Sequence, residues 1–174
     1  MRSTLKTGVI TGIISCIFLF GFFSLMVWLN DKSNWGLQVS TIRGIGGLLS
    51  IPVQAIGIYM AMQNVKQTSG ALTYGQALKT GLTVAITIAI LVALFGFIYC
   101  TFLNPGYAEF MVRDAQKAML ARGESQQQIS KESADVAKQF STGAQVMMGL
   151  VGQFVTGAIM SLIIGLFIKT KQNA

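Results

Sequence analysis

Three polar side chains interrupt or border long apolar stretches of this sequence, and their residue types could do chemistry. Gln54 and Gln153 lie near the middle of two apolar runs, and Arg43 directly precedes one of them. Within lipid, two amides at similar depth could line the path of a solute or ion, with Pro52 kinking the helix close to Gln54. The commoner use of such amides is an interhelical hydrogen bond worth about 1 kcal/mol, and this is the interpretation we favour.

Arg43 carries the one charge close to this polar pair. Its long side chain could extend to lipid headgroups, as basic residues near helix ends commonly do. It could instead pair with an acid of the charged segment 104–143. We expect the headgroup contact.

The usual parts of catalytic and metal-binding sites are missing from the sequence. It contains no histidine and two cysteines, Cys16 and Cys100, both inside apolar runs where sulfur usually behaves as a small hydrophobe. No pair of carboxylates stands beside a nucleophile or metal ligand. The apolar runs contain no Asp, Glu, Lys or His, the residues that mark proton-coupled transport. We therefore predict no enzymatic activity, no catalytic residue, no cofactor and no metal.

Four apolar runs must position the polar residues. Of the 174 residues, 52% are hydrophobic and 11% are charged, and the charged residues are clustered. The uncharged runs are 8–29, 44–62, 82–103 and 144–168. A helix rises about 1.5 Å per residue, so each run is long enough to cross a hydrocarbon core of about 30 Å. The runs lack the alternation of apolar and polar residues that barrel strands show, so we interpret them as helices.

We therefore predict an all-α membrane protein, a bundle of four transmembrane helices in a single integral domain, 1–174. The expected spans are about 7–29, 42–63, 79–103 and 144–168.

The distribution of charge predicts the orientation of the chain. One side of the predicted bundle carries six basic residues and no acid: Arg2, Lys6, Lys66, Lys79, Lys169 and Lys171. The opposite side carries the other seven basic residues and all six acids. The positive-inside rule then places both termini in the cytoplasm and 104–143 on the outer, periplasmic side of a bacterial inner membrane. Trp28 and Trp35 would lie at the outer interface. Most of the net charge of +7 comes from the six basic residues on the cytoplasmic side. No basic face remains that could bind nucleic acid.

A short repeat predicts the internal organisation. The tetrapeptide LKTG occurs at 5–8 and again at 78–81, each time before an apolar run that ends in Leu-Asn. Gln54 and Gln153 also take similar positions in the second and fourth runs. This pattern favours a duplicated helical hairpin, a parallel repeat about an axis along the membrane normal. The alternative is chance recurrence of residues that are common near helix starts.

Small residues recur at the spacing of one helix face, which lets neighbouring backbones approach closely in lipid. The candidate helix-packing residues are Gly8, Gly12, Gly81, Ala85, Ala89, Ala93, Gly157, Ser161 and Gly165. The bulky residues of the first run are expected to face lipid at least in part. They are Phe18, Phe20, Phe22 and Phe23.

The charged segment 104–143 predicts an amphipathic helical hairpin outside the membrane, between the third and fourth spans. Asn104 would cap its first helix and Pro105 would begin it. Gly123 would end that helix, and a capping box beginning at Ser125 would start the second. The hairpin could dock a partner, cover the bundle, or do both.

Three stretches of this sequence resemble a known family. GALTYGQALKTGL at 70–82, FLNPGYAEF at 102–110 and SLIIGLFIKTK at 161–171 are similar to bacterial membrane proteins classified as domain of unknown function 4199. The similarity runs in order over nearly the whole chain. The resemblance implies a four-helix inner-membrane protein, and it supplies no reaction, ligand or catalytic residue.

Two functional hypotheses follow. The first is a structural or interaction protein, a scaffold or complex subunit, embedded in the lipid bilayer. Its partner would be a second copy or another membrane or periplasmic protein, met through 104–143. The alternative is a small transporter or channel component with a path near Gln54 and Gln153.

Overall fold

The computed structural model describes residues 2–33 and 37–170, and Trp35 and Lys171 lie outside this part. The chain is 90% helical, with no strand among the described residues. The helices are α1 Arg2–Ser33, α2 Val39–Ser69, α3 Tyr74–Leu103, α4 Tyr107–Ala121, α5 Gln126–Gln139 and α6 Thr142–Ile168. Four of them, α1, α2, α3 and α6, are long and apolar enough to cross a membrane, which indicates a multi-pass membrane protein. The all-helical class and the number of such helices agree with the prediction.

The helices extend beyond the expected spans because local capping, and not the edge of the apolar run, ends them. The helix α2 ends at Gly70, whose φ of 73° is a left-handed conformation that glycine adopts without strain. The helix α3 begins with a capping box, in which Thr73 accepts from the backbone N–H of Gln76 and the Gln76 side chain accepts from that of Thr73. The uncharged run is therefore shorter than the whole helix.

The most extensive packing in the bundle joins α3 to the antiparallel α6. Both helices bring a small residue to the contact at every fourth position, and the facing pairs include Ala77 with Gly165 and Ala85 with Gly157. A Cβ atom added at Gly157 would lie 2.5 Å from the Ala85 Cβ. Between these pairs, Gly81 faces Ser161, and its added Cβ would lie 2.6 Å from the Ser161 Cβ. Ala89 and Ala93 are buried along the same stripe of α3.

On its other side, α3 contacts α1. A Cβ added at Gly8 would lie 3.0 Å from the Thr87 Cβ, and one added at Gly12 would lie 2.6 Å from Leu91 Cδ1. The helix α3 therefore lies between α1 and α6, while α2 packs against all three. The two copies of LKTG have different neighbours, since Gly8 meets α3 and Gly81 meets α6.

Two π-helical turns lie near one end of the bundle. In α1 the turn covers Ile17–Gly21, and the N–H of Phe22 donates to the carbonyl of Ile17, five residues back. In α3 the turn covers Tyr99–Leu103. The turns face each other, because the rings of Phe20 and Tyr99 have centroids 5.1 Å apart. Such turns occur frequently at functional sites.

The aromatic residues of α1 do not all face outward. Phe23 is buried and the Phe20 ring packs on Phe95, with centroids 5.3 Å apart, whereas Phe18 is exposed. The expectation that these rings face outward at least in part is therefore wrong for Phe23, whereas Phe20 is half-buried. Phe20 lies within the π-helical turn, and Phe23 follows the turn by two residues.

The hairpin of α4 and α5 has the predicted break and the predicted second start, but not the predicted first start. Gly123 has a φ of 74°, and Ser125 forms a capping box with Gln128. The first helix begins at Tyr107 and not at Pro105. The N-cap is Gly106, without a side-chain hydrogen bond, and Asn104 instead ends the π-helical turn and donates its side-chain amide to the Tyr99 hydroxyl at 3.3 Å.

The opposite end of the bundle, where α1 begins and α6 ends, is closed by hydrogen bonds. The Lys66 ammonium donates to the carbonyl of Ile168 at 2.9 Å, which satisfies the C-terminus of α6. The backbone N–H of Thr170 donates to the Leu72 carbonyl, and the Leu72 N–H donates to the Thr170 hydroxyl, both at 2.9 Å. These contacts tie the α2–α3 loop to the end of α6.

Candidate functional site

A cavity of about 220 Å³ lies among α1, α2, α3 and α6 at the end of the bundle that carries the hairpin. Its aromatic wall comes from the two π-helical turns and their neighbours: Phe20, Phe23, Tyr99 and Tyr107. Its polar wall contains Arg43, Gln145 and Gln153. Two of the three polar residues singled out in the sequence therefore line one space, and Gln54 lies beside it.

Arg43 lies on α2 at this cavity and pairs with a neutral side chain. Its Nη2 donates to Gln145 Oε1 at 2.7 Å, and its guanidinium carbon lies 4.8 Å from the centre of the Phe140 ring. No carboxylate forms an ion pair with it in residues 2–33 and 37–170. A nearby candidate, Asp114, is used elsewhere, because it accepts a hydrogen bond from the Val39 N–H at 3.2 Å and so caps α2. The guanidinium therefore points along the cavity and not to an acid of the hairpin.

Gln54 forms an interhelical hydrogen bond, but not with the side chain of Gln153. Its Nε2 donates to the backbone carbonyl of Gln153 at 2.9 Å. This approach depends on Gly157, one turn along α6, because a Cβ there would lie only 2.8 Å from Gln54 Nε2. The small-residue stripe thus does more than bring α3 and α6 together: it exposes an α6 carbonyl to an amide of α2.

Buried acceptors remain without partners at the same level. Gln54 Oε1, Gln153 Oε1 and Ser15 Oγ are buried and form no hydrogen bond within the described residues. Ser15 is near this level because Thr11, one turn earlier in α1, packs against Gly57 of α2, and the two helices are antiparallel. Buried polar atoms usually have partners, so atoms of this kind require an explanation. A donor brought by a water molecule or a ligand would satisfy them.

Below Gln54 the bundle is close-packed. Ile58, Met62 and Ile88 are fully buried in one apolar cluster, and Gly81 contacts Ser161 beside them. The cavity therefore lies in the half of the bundle nearer the hairpin, and close packing closes it toward the end where α1 begins and α6 ends.

Tyr107 forms the roof of the cavity at the start of α4. Its ring makes edge-to-face contacts with Phe23, Tyr99 and Phe140, at centroid distances of 5.7, 5.9 and 6.1 Å. Burial raises the pKa of Tyr107 to about 12, although the charge of Arg43 acts in the opposite direction. The phenol is therefore neutral at physiological pH.

Gln145 was not singled out in the sequence, although a signal was present. Gln145, Gly149 and Gln153 are spaced by four residues, so they share one face of α6. Arg43 and Gly47 share a face of α2 in the same way. Tyr99 and Tyr107 gave no comparable signal, because the π-helical turn and the chain reversal between them break the helical period.

Comparison with known proteins gives a family and no activity. The model of the family described as protein of unknown function, DUF4199, matches residues 6–170. No curated protein and no solved structure matches the chain.

Proposed function

This chain belongs to the DUF4199 family, and we propose that it is a non-enzymatic interaction protein of the bacterial inner membrane. As one integral domain, it would anchor the hairpin α4–α5 in the membrane and present it to a second copy or to another membrane or periplasmic protein. The match to the family covers nearly the whole chain but assigns no activity, and the support for this role comes from the geometry of the hairpin.

The attachment of the hairpin to the bundle is the observation that carries this proposal. Asp114 of α4 caps the N-terminus of α2 through the Val39 N–H. Tyr107 packs between Phe23 and Tyr99, and Phe140, just after α5, lies over Arg43. A hairpin held at both of its ends is a rigid platform, and rigid elements hold binding surfaces more precisely than loops do. Eight of the ten charged side chains in 104–143 are exposed.

We also propose that the hairpin is extramembrane and periplasmic and that both termini are cytoplasmic. Arg2, Lys6 and Lys66 support this orientation because they belong to the end of the bundle opposite the hairpin, and that end carries no acid. A duplicated hairpin as the origin of the four spans is a further part of the proposal. The two LKTG copies support it, since 5–8 and 78–81 lie in helices that cross in the same direction.

Labelling of single cysteines tests the orientation. Ser130 on the hairpin and Ser69 at the end of α2 are both exposed, while the native Cys16 and Cys100 are buried. An impermeant maleimide added to intact cells, with the outer membrane permeabilised, is expected to label Ser130→Cys and to leave Ser69→Cys unlabelled. The parent chain without a new cysteine gives the background. Labelling at position 69 alone would reverse the proposed orientation.

Mild crosslinking in native membranes, followed by purification, tests the interaction proposal. We expect a stoichiometric adduct through the hairpin, with crosslinkers placed at Ser130, and no adduct from the same crosslinker placed at Ser69. A chain that stays a monomer in both cases would contradict the proposal.

The cavity favours one second candidate, a small transporter or channel component. The observation is that the cavity reaches the level of Gln153, near the middle of α6. A continuous path would require the Gly81–Ser161 contact to open. If the purified chain moves solute in liposomes, and Gln54→Leu with Gln153→Leu stops this movement, the second candidate replaces the first.

A further inference from the structure

An arginine that has no acidic partner among the described residues lines the cavity of a membrane protein. Charged residues in spans normally pair with an opposite charge or serve a site, because moving them from water into lipid is unfavourable. A guanidinium has five N–H donors. In the described part of the chain, Arg43 uses one of them, toward Gln145 Oε1. Gln145 and the Phe140 ring fix the orientation of the guanidinium and leave its charge uncompensated.

The rest of the cavity has the chemistry of an amphipathic site. Next to Arg43, the walls are formed by the rings of Phe20, Phe23 and Tyr99. The deep end contains Gln153, whose Oε1 lacks a donor. The volume of about 220 Å³ is below the range of about 300–1,000 Å³ found for drug-sized ligands, so a small molecule or one part of a lipid would fit.

Gly47 keeps this space open. It lies one turn from Arg43 on the same face of α2, and a Cβ added to it meets no atom within 4 Å. A larger side chain at this position would occupy the cavity without first displacing the backbone of a neighbour. Gly44 has equally open surroundings, is exposed, and does not line the cavity, which makes it a matched control.

We propose that the cavity binds an amphipathic anion, with its carboxylate or phosphate on the Arg43 guanidinium and its apolar part between the aromatic rings. The ligand supplies the negative charge that the described residues do not. Two sources share this chemistry: an anionic membrane lipid and a free organic acid. The inference is separate from the interaction role, because a protein with a partner at its hairpin needs no ligand in this cavity.

Binding by the full chain in a neutral detergent tests the proposal in two arms. In the first, native mass spectrometry follows equimolar phosphatidylglycerol and phosphatidylcholine. In the second, equilibrium dialysis follows labelled octanoate, with octanol as its neutral counterpart. We expect the wild-type chain to prefer the anion of at least one pair by about tenfold. Gly47→Leu and Arg43→Gln should lose this preference, Gly44→Leu should keep it, and Arg43→Lys should keep part of it.

The two arms also identify the source of the ligand. Preference for phosphatidylglycerol indicates a lipid, and preference for octanoate without one for phosphatidylglycerol indicates a free acid. Equal binding of anionic and neutral probes by the wild-type chain would overturn the proposal, as would a Gly47→Leu chain that binds like wild type. Circular dichroism and elution volume check that each variant is folded. If Gly47→Leu is not folded, the partial preference expected of Arg43→Lys tests the proposal in its place. The crosslinking experiment does not involve the cavity, so the two proposals can fail independently.

Discussion

Gly157→Ala is expected to weaken the bundle by about 2 kcal/mol, although alanine is the better helix former. The new methyl would lie 2.5 Å from the Ala85 Cβ and 3.2 Å from its Cα, so the backbones of α3 and α6 would have to separate. The same methyl would lie 2.8 Å from Gln54 Nε2 and would weaken the bond to the Gln153 carbonyl. The measurement is the free energy of unfolding in mixed micelles, supported by the melting temperature.

Gly152→Ala is the matched control for this prediction. Gly152 lies in the same helix, and a Cβ added there meets no atom within 4 Å. Only the helix propensity changes at this position, so the control should be neutral or stabilised by up to about 1 kcal/mol. The two variants should therefore shift the free energy of unfolding in opposite directions. Equal shifts at both positions would mean that the close contact between α3 and α6 does not hold the bundle together.

Tyr107→Ala is expected to release the hairpin from the bundle with a loss of about 3 kcal/mol. The ring is almost fully buried and is shared by Phe23, Tyr99 and Phe140, so its removal leaves a void where three elements meet. Hydrogen exchange should accelerate in α4 and α5 and remain slow in the central parts of the spans. Trypsin should also cut the hairpin faster.

Tyr107→Phe separates the role of the ring from that of the hydroxyl. Within residues 2–33 and 37–170, the Tyr107 hydroxyl forms no hydrogen bond with another residue, so phenylalanine should preserve the packing within about 1 kcal/mol. Hydrogen exchange of α4 and α5 should then match the parent chain. Unchanged exchange in Tyr107→Ala would show that the hairpin is held by other contacts, such as that of Asp114 with the Val39 N–H.

The elements that could be predicted from the sequence are those set by neighbouring residues or by the length of a single apolar run. A run without charge that matches the thickness of a bilayer has few alternatives to a helix, because lipid leaves backbone groups no other hydrogen-bond partner. The break at Gly123 and the start at Ser125 also depend only on neighbouring residues. The spacing of small residues along α3 and α6 gave the contact face of each helix but not the pairing of Gly81 with Ser161, which depends on the relative positions of two helices.

The candidate site was less accessible to sequence reasoning because it depends on contacts between distant residues. The partner of Arg43 is Gln145, 102 positions later, whereas the sequence favoured a headgroup contact, with an acid of 104–143 as the alternative. Gln54 and Gln153 could be placed at similar depth. That one of them bonds to the backbone carbonyl of the other depends on the missing side chain of Gly157.

The π-helical turn at Ile17–Gly21 adds an extra residue to a helix that otherwise repeats every 3.6 residues. One additional residue rotates everything that follows by about 100° around the helix axis. The faces of α1 before and after the turn are therefore rotated relative to each other. A single helical wheel drawn through all 32 residues does not describe both halves. A relative that lacks one residue in this turn would therefore present different side chains to the bundle from Phe22 onward.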